Sequence, residues 1–131
     1  MRQQYHFKPS PDGLLAWDVF RLVDLSADLT PYQHPISEIS EVDEDWWDLK
    51  RNGATVHNVI EHMKLVEATD LKYPIILSHN GGLMDGMHRV CKAILRGNTH
   101  ILAVRFSEYI EPDYVGKQPD ELPYDTVRND P

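Results

Sequence analysis

The chain has a single cysteine, no long apolar run and no excess of positive charge. Cys91 alone excludes an internal disulfide and a cysteine zinc cluster, and its place on an apolar helix face predicts core packing. No apolar run approaches the ~20 residues that a transmembrane helix needs, and the polar residues 1–10 do not fit a signal peptide. We therefore expect a cytoplasmic protein with no membrane partner.

The length of 131 residues, 41% of them hydrophobic, suits one compact domain over 1–131 with room for a single core. Residues 1–16 are polar and contain Pro9, Pro11 and Gly13, which predicts an irregular lead-in. Residues 107–131 contain four prolines, scattered acids and three tyrosines. This composition predicts a Pro-rich acidic tail, laid over the domain or partly disordered, and the tyrosines favour anchoring.

The formal net charge is −8, from 13 Lys and Arg against 21 Asp and Glu. This charge opposes non-specific attraction to nucleic acid, so we expect no binding to duplex DNA by itself. Residues 85–106 differ, because four cations stand there against Asp85 alone, a local charge of +3. Such a basic island suits a compact anion such as a nucleotide. The alternative is that these cations pair with nearby acids.

Hydrophobic periodicity predicts alternating strands and helices. The elements predicted before residue 70 are a strand over 19–25, a connection over 28–35, a short extended piece over 36–39, a helix over 40–49 capped by Ser40, a turn over 51–54, and a helix Val56–Ala68 capped by Thr55. Trp46 and Trp47 are adjacent and cannot both point inward from a helix. One of them covers a pocket edge or a partner surface, or both are partly buried at the core margin.

The predicted helix Val56–Ala68 has an apolar side of Val56, Val59, Ile60, Met63 and Val66, with His57 and His62 on the other face. The two histidines are five residues apart, which separates them by about 140° on a helix of 3.6 residues per turn. They cannot share a metal ion, although His79 or His100 could join one of them. We therefore assign no metal site.

Residues 73–106 read as strand, glycine turn, short strand, helix and strand in quick succession. The runs at 74–78 and 101–106 predict buried strands, and residues 79–82 predict the turn before a short strand at 83–84. Between them, apolar residues recur at helical spacing over 87–96, and Gly97 predicts the helix end. The stretch therefore indicates a mixed sheet with a helix packed on it.

The start of this helix carries the candidate site, Asp85, Gly86, His88, Arg89 and Lys92. Cations at a helix N-terminus oppose its dipole and cost about 0.3–1 kcal/mol each. A phosphate would remove the conflict by accepting backbone N–H bonds at Gly86 and by pairing with His88 and Arg89. The alternative is a structural ion pair of Asp85 with Arg89 at i, i+4 that caps the helix without a ligand.

The order of a strand, Asp85-Gly86-Met87-His88-Arg89, an apolar helix, Gly97 and a second strand resembles the ParB/sulfiredoxin-like superfamily, and the likeness covers about a quarter of the chain. Sulfiredoxins carry a G-G-C-H-R turn that binds ATP, partition proteins a G-E-R-R turn that binds CTP, and free-serine kinases a D-G-x-x-R turn. The resemblance implies a single small α/β domain of ParB/sulfiredoxin-like fold. It also implies that Gly86, His88 and Arg89 contact the phosphates of a nucleoside triphosphate, ATP or CTP, with Mg²⁺ as a further cofactor.

Met87 stands where sulfiredoxins have their catalytic cysteine, and a thioether is neither a nucleophile nor a base, so we expect no sulfiredoxin activity. No helix-turn-helix segment follows the motif, so we expect no specific DNA recognition of the partition-protein type. Three functions stay open: a nucleotide-binding module, an ATP-dependent phosphoryl-transfer or phosphohydrolase enzyme, and a ligand-free structural or protein-interaction domain. For the enzyme, Glu38, Glu41 or Glu61 would be the base.

Overall fold

The structure is a computed structural model that describes residues 1–128; the last three residues of the predicted tail lie outside this range. Its strands are β1 (Tyr5–Lys8), β2 (Leu15–Asp18), β3 (Tyr32–Pro35), β4 (Ile75–Leu77), β5 (Leu83–Asp85), β6 (His100–Arg105) and β7 (Tyr114–Val115). Its α-helices are α1 (Val19–Ser26), α2 (Leu49–Asn52), α3 (Val56–Ala68) and α4 (Met87–Leu95). Short 3₁₀ turns lie at Ile36–Glu38, Ser40–Asp43 and Pro119–Glu121.

The strands form two sheets. The larger has the order β3-β6-β4-β5, in which β4 and β6 are parallel and the other neighbours are antiparallel. The smaller is antiparallel, with the order β1-β2-β7. The mixed larger sheet and the helices packed on it confirm the predicted α/β class. The ParB/sulfiredoxin-like fold itself stays a prediction.

The core lies on both faces of the larger sheet, and β4 shows why. Its side chains alternate, so Ile75 and Leu77 join Val90 of α4 on one face. Ile76 points to the other face and packs with Trp17 of β2. All three β4 residues are buried, as the continuous apolar run predicts. Strand β4 therefore contributes to the core on both faces of the sheet.

Several predicted elements are confirmed. Helix α3 covers the predicted residues, and the Thr55 hydroxyl accepts a hydrogen bond from the Asn58 amide at 3.2 Å. Helix α4 ends as predicted before Gly97, whose φ of +76° favours glycine. The turn before β5 contains Gly81 with φ +88°. The apolar side of α3 differs, because only Val66 is buried in that helix.

The predicted strand over 19–25 is wrong, since these residues form helix α1. The Asp18 carboxylate accepts a hydrogen bond from the Phe20 amide at 2.9 Å and caps the helix. Val19, Phe20 and Leu22 are buried, and at this short length the helical and alternating patterns overlap.

The predicted helix over 40–49 is also wrong, because the chain makes a 3₁₀ turn and Ser40 caps nothing. The Asp45 carboxylate binds the amides of Leu49 and Lys50 at 2.7 and 3.0 Å, and this starts the short helix α2 instead. Residues 28–35 include strand β3, and residues 36–38 form a 3₁₀ turn rather than an extended piece.

Both chain ends are more regular than predicted. The expected irregular lead-in over 1–16 contains β1 and the start of β2, which pair across a turn that contains Gly13 with φ +110°. The tail lies on the domain through β7, and the Tyr124 ring packs edge-on against Tyr5 with centroids 5.3 Å apart. Over residues 107–128, anchoring is therefore the correct alternative. None of the helices in the described range combines the length and apolarity needed to cross a bilayer.

Candidate functional site

The turn between β5 and α4 depends on Gly86. Its φ of +113° lies in the left-handed region, and an added Cβ would stand 2.6 Å from Ile75 Cγ2. Gly86 is the N-cap residue of α4, and no side chain caps the helix there. The first backbone N–H groups of α4 therefore have no side-chain acceptor, which is the arrangement that anions use at helix N-termini.

Asp85 and Arg89 form the ion pair that the structural alternative predicts. Arg89 Nη2 lies 3.0 Å from Asp85 Oδ2, and the two side chains are only 16% and 18% exposed. The same nitrogen also donates to the Pro74 carbonyl at 3.4 Å. Arg89 Nε is buried and has no hydrogen-bond partner among residues 1–128. Asp85 thus fixes the guanidinium at the turn without satisfying all its donors.

His88 belongs to an aromatic stack that the sequence did not reveal. Its ring stacks on Trp47, with centroids 5.2 Å apart and planes at 16°. His62 stacks on the same indole at 4.1 Å, and His62 Nδ1 lies 3.1 Å from His88 Nε2. The only sign of this stack in the sequence is the pair of adjacent tryptophans. The helix wrongly predicted over 40–49 gave no indication of where Trp47 points.

The surroundings of the His88 imidazole disfavour its charged form. Burial lowers its pKa first, His62 and Arg89 lower it further, and the Asp85 carboxylate acts in the opposite direction. Burial also lowers the pKa of His62. A neutral His88 would offer a phosphate a hydrogen bond rather than the ionic pairing predicted from the sequence, unless the bound anion raises its pKa.

Lys92 is directed away from the turn. Its ammonium donates to the Glu67 and Thr69 carbonyls at 3.0 and 2.6 Å, at the C-terminal end of α3. A cation at this end of a helix is favourable, so Lys92 ties α4 to α3. The structure therefore brings Asp85, Gly86, His88 and Arg89 together, whereas Lys92 is bound elsewhere.

A cavity of about 620 Å³ lies beside β1 and the β4–β5 hairpin, and its lining contains none of the five predicted site residues. Glu38 and Glu41, two of the candidate bases, line this cavity. The Glu41 carboxylate accepts a hydrogen bond from the Leu83 amide at 2.8 Å. The third candidate, Glu61, is exposed on α3 and lies 3.3 Å from the Lys64 ammonium. A role for any of them as a base stays a prediction.

A second cavity of about 460 Å³ is an apolar groove between α3, α4 and the segment that precedes α2. Met63 and Leu95 are 56% and 79% exposed along it. Cys91 borders this groove, partly buried rather than enclosed in the core, and burial raises the pKa of its thiol. The thiol is therefore a weak nucleophile at neutral pH.

Within residues 1–128, no three His, Cys, Asp or Glu side chains are grouped so that they could hold a metal ion. His62 has His88 as its partner, not His57.

Comparisons of the chain with protein-family models, with curated proteins and with solved structures found no match.

Proposed function

We propose that this protein is a nucleotide-binding domain that holds the phosphate groups of ATP or CTP at the N-terminus of α4. The observation that carries the proposal is the state of Arg89. Its guanidinium is held beside the Gly86 turn by Asp85, yet Arg89 Nε is buried without a partner in the described part of the chain. The N–H groups at the start of α4 have no side-chain cap and lie beside this guanidinium, and together they favour an acceptor-rich ligand at the turn.

The turn would bind phosphate in three ways. Backbone N–H groups that follow Gly86 would donate to its oxygens, and Arg89 would add charge-assisted hydrogen bonds. His88 would donate from its ring, and the nearby negative charge would raise its pKa, so binding would take up a proton. Lys92 would stay on the end of α3. Affinity is then expected to increase as the pH falls toward 6.

A thermal-shift panel tests the proposal. Wild-type protein is heated with ATP, CTP, GTP, UTP or pyrophosphate, each with and without Mg²⁺. A ligand at 100 times its dissociation constant stabilises by about 2.7 kcal/mol, which raises the melting temperature of a domain of this size by roughly 5–10 °C. A wild type that no nucleotide stabilises would end the proposal.

The matched variants are Arg89→Gln and Arg96→Gln, which remove one cation each from opposite ends of α4. Arg89→Gln also breaks the pair with Asp85, so the readout is the shift caused by ligand and not the melting temperature itself. We expect Arg89→Gln to abolish the shift and the exposed Arg96→Gln to retain it. Equal shifts in both variants would place the ligand away from the turn.

A second candidate function is that of a domain that binds no ligand at this turn. It is favoured because two cations of the predicted site already contact protein groups. Arg89 has Asp85, and Lys92 has two carbonyl partners. This candidate predicts that no nucleotide shifts the wild-type melting curve, while Arg89→Gln still lowers the melting temperature. The same panel therefore separates the two functions.

A further inference from the structure

The 620 Å³ cavity is a second place where a ligand fits, and it is built from other parts of the chain. Its walls come from β1 and β2 of the smaller sheet, from the β4–β5 hairpin, and from residues 38–46 and 108–110. Its volume lies within the ~300–1,000 Å³ typical of small-molecule sites. The cavity therefore has the size of a binding site.

One wall is aromatic. The His6 ring lies between Trp17 and Trp46, with centroids 5.4 and 5.8 Å away. Tyr109, which also lines the cavity, packs edge-on against His79 with ring centroids 5.8 Å apart. Neither ring nitrogen of His6 has a hydrogen-bond partner among residues 1–128, although the ring borders the cavity. This wall offers aromatic surface at His6 and Trp46 together with an imidazole that has no hydrogen-bond partner in the described range.

The lining is strongly acidic. Five carboxylates stand against the single ammonium of Lys8, a net −4, and they belong to Glu38, Glu41, Glu44, Asp45 and Glu108. Glu41 and Asp45 bind backbone amides of the protein. The side chains of Glu44 and Glu108 have no hydrogen bond or ion pair with any residue that the structure describes. These two carboxylates are therefore available to bind a ligand.

The distribution of these carboxylates favours an organic cation over a metal ion. No three metal-ligating side chains converge in the described range, so the charge is spread around the cavity. An amine or guanidinium on a carbon stem matches such a lining, because it binds carboxylates by charge-assisted hydrogen bonds and aromatic faces by cation–π contact. A nucleotide, in contrast, would be repelled.

We propose that this cavity binds a small organic cation, with its amine or guanidinium groups at the carboxylates and its carbon stem against the His6–Trp46 wall. This site does not depend on the nucleotide site, since the two share no residue of the α4 turn. The three tryptophans of the chain distinguish them. Trp17 lines the acidic cavity only, Trp46 borders both the cavity and the groove, and Trp47 lines only the groove and stacks on His88.

The test is an NMR titration of ¹⁵N-labelled full chain with agmatine, which carries an amine and a guanidinium. The indole N–H signals are assigned by single Trp→Phe changes. We expect agmatine to shift the Trp46 and Trp17 signals saturably below about 10 mM and to leave Trp47 in place. 4-Guanidinobutyrate, which has a carboxylate in place of the amine, should bind far more weakly.

Two charge-matched double variants complete the test. Glu44→Gln with Glu108→Gln removes the two unpaired carboxylates, and we expect agmatine affinity to fall about tenfold. Asp28→Asn with Glu67→Gln removes the same charge from exposed sites outside the cavity and should leave the affinity unchanged. No saturable shift, equal losses in both double variants, or a shift of Trp17 by ATP rather than agmatine would each overturn the proposal.

Discussion

Acid should destabilise this protein through His6, whose surroundings disfavour a charged imidazole. The ring lies between the Trp17 and Trp46 indoles at 5.4 and 5.8 Å. Burial lowers the pKa of His6 to about 4, and the Lys8 ammonium acts in the same direction. In the unfolded chain the imidazole has an ordinary pKa near 6.5. The folded state therefore binds this proton less tightly than the unfolded state does.

The sign and the size of the effect follow from this difference. Stability is intact above about pH 6.5 and is lost progressively as the pH falls toward 4, because protons favour the unfolded chain. A shift of about 2.5 pKa units at roughly 1.4 kcal/mol each limits the loss to about 3 kcal/mol. About 2 kcal/mol of it should appear between pH 7 and pH 5. Most carboxylates in proteins take up protons below about pH 5. Their contribution to the loss of stability therefore stays small when the measurement stops at pH 5.

Urea unfolding of wild type, His6→Phe and His57→Gln at pH 7 and pH 5 measures the effect. His6→Phe keeps a ring between the two tryptophans and removes the titrating group. We expect its loss of stability between the two pH values to be smaller than that of wild type by about 2 kcal/mol. His57→Gln, an exposed change on α3, should follow wild type. His62 and His88 are present in all three proteins, so their contributions cancel when the losses of stability are compared. If His6→Phe loses as much stability as wild type, the reasoning about the stack is wrong.

Gly86→Ala should destabilise by about 2–4 kcal/mol in chemical unfolding, because it combines a strained φ with a Cβ placed 2.6 Å from Ile75. Gly97→Ala is its control and should lose only about 1–2 kcal/mol, since φ is +76° there but nothing lies within 4 Å; equal losses would refute the packing argument. Duplex DNA should bind more weakly than about 10⁻⁴ M at physiological salt in an anisotropy titration, owing to the net charge of −8. Micromolar binding that weakens steeply with salt would contradict this expectation.

The elements that the sequence predicts well are those whose signals are local. Helix α3 has its cap at Thr55 and its amphipathic period within one stretch, and α4 has Gly97 directly after it. The start of α1 also has a local signal, the Asp18 cap, but its eight residues carry both helical and alternating patterns. Sequence period alone cannot separate the two at this length.

Other predictions failed because they depend on partners that are distant in the chain. Strand β2 is ordered by β1 on one side and by β7 on the other, and Leu15 pairs with Val115 one hundred positions away. Lys92 finds its carbonyl partners at the end of another helix. Trp47 reaches His62 and His88 only because residues 40–48 do not form the predicted helix. Local composition contains none of this information.

The Asp85–Arg89 pair imposes an electrostatic cost on phosphate binding at the turn. The pair is close to neutral, so an incoming phosphate gains less from Arg89 than it would from an unpaired guanidinium, and it meets the Asp85 carboxylate beside its own charge. A divalent cation bound with the nucleotide removes much of that repulsion. The nucleotide proposal therefore requires stronger stabilisation with Mg²⁺ than without it. Pyrophosphate with Mg²⁺ should reproduce most of the effect, since the contacts at the turn involve phosphate oxygens and not the base.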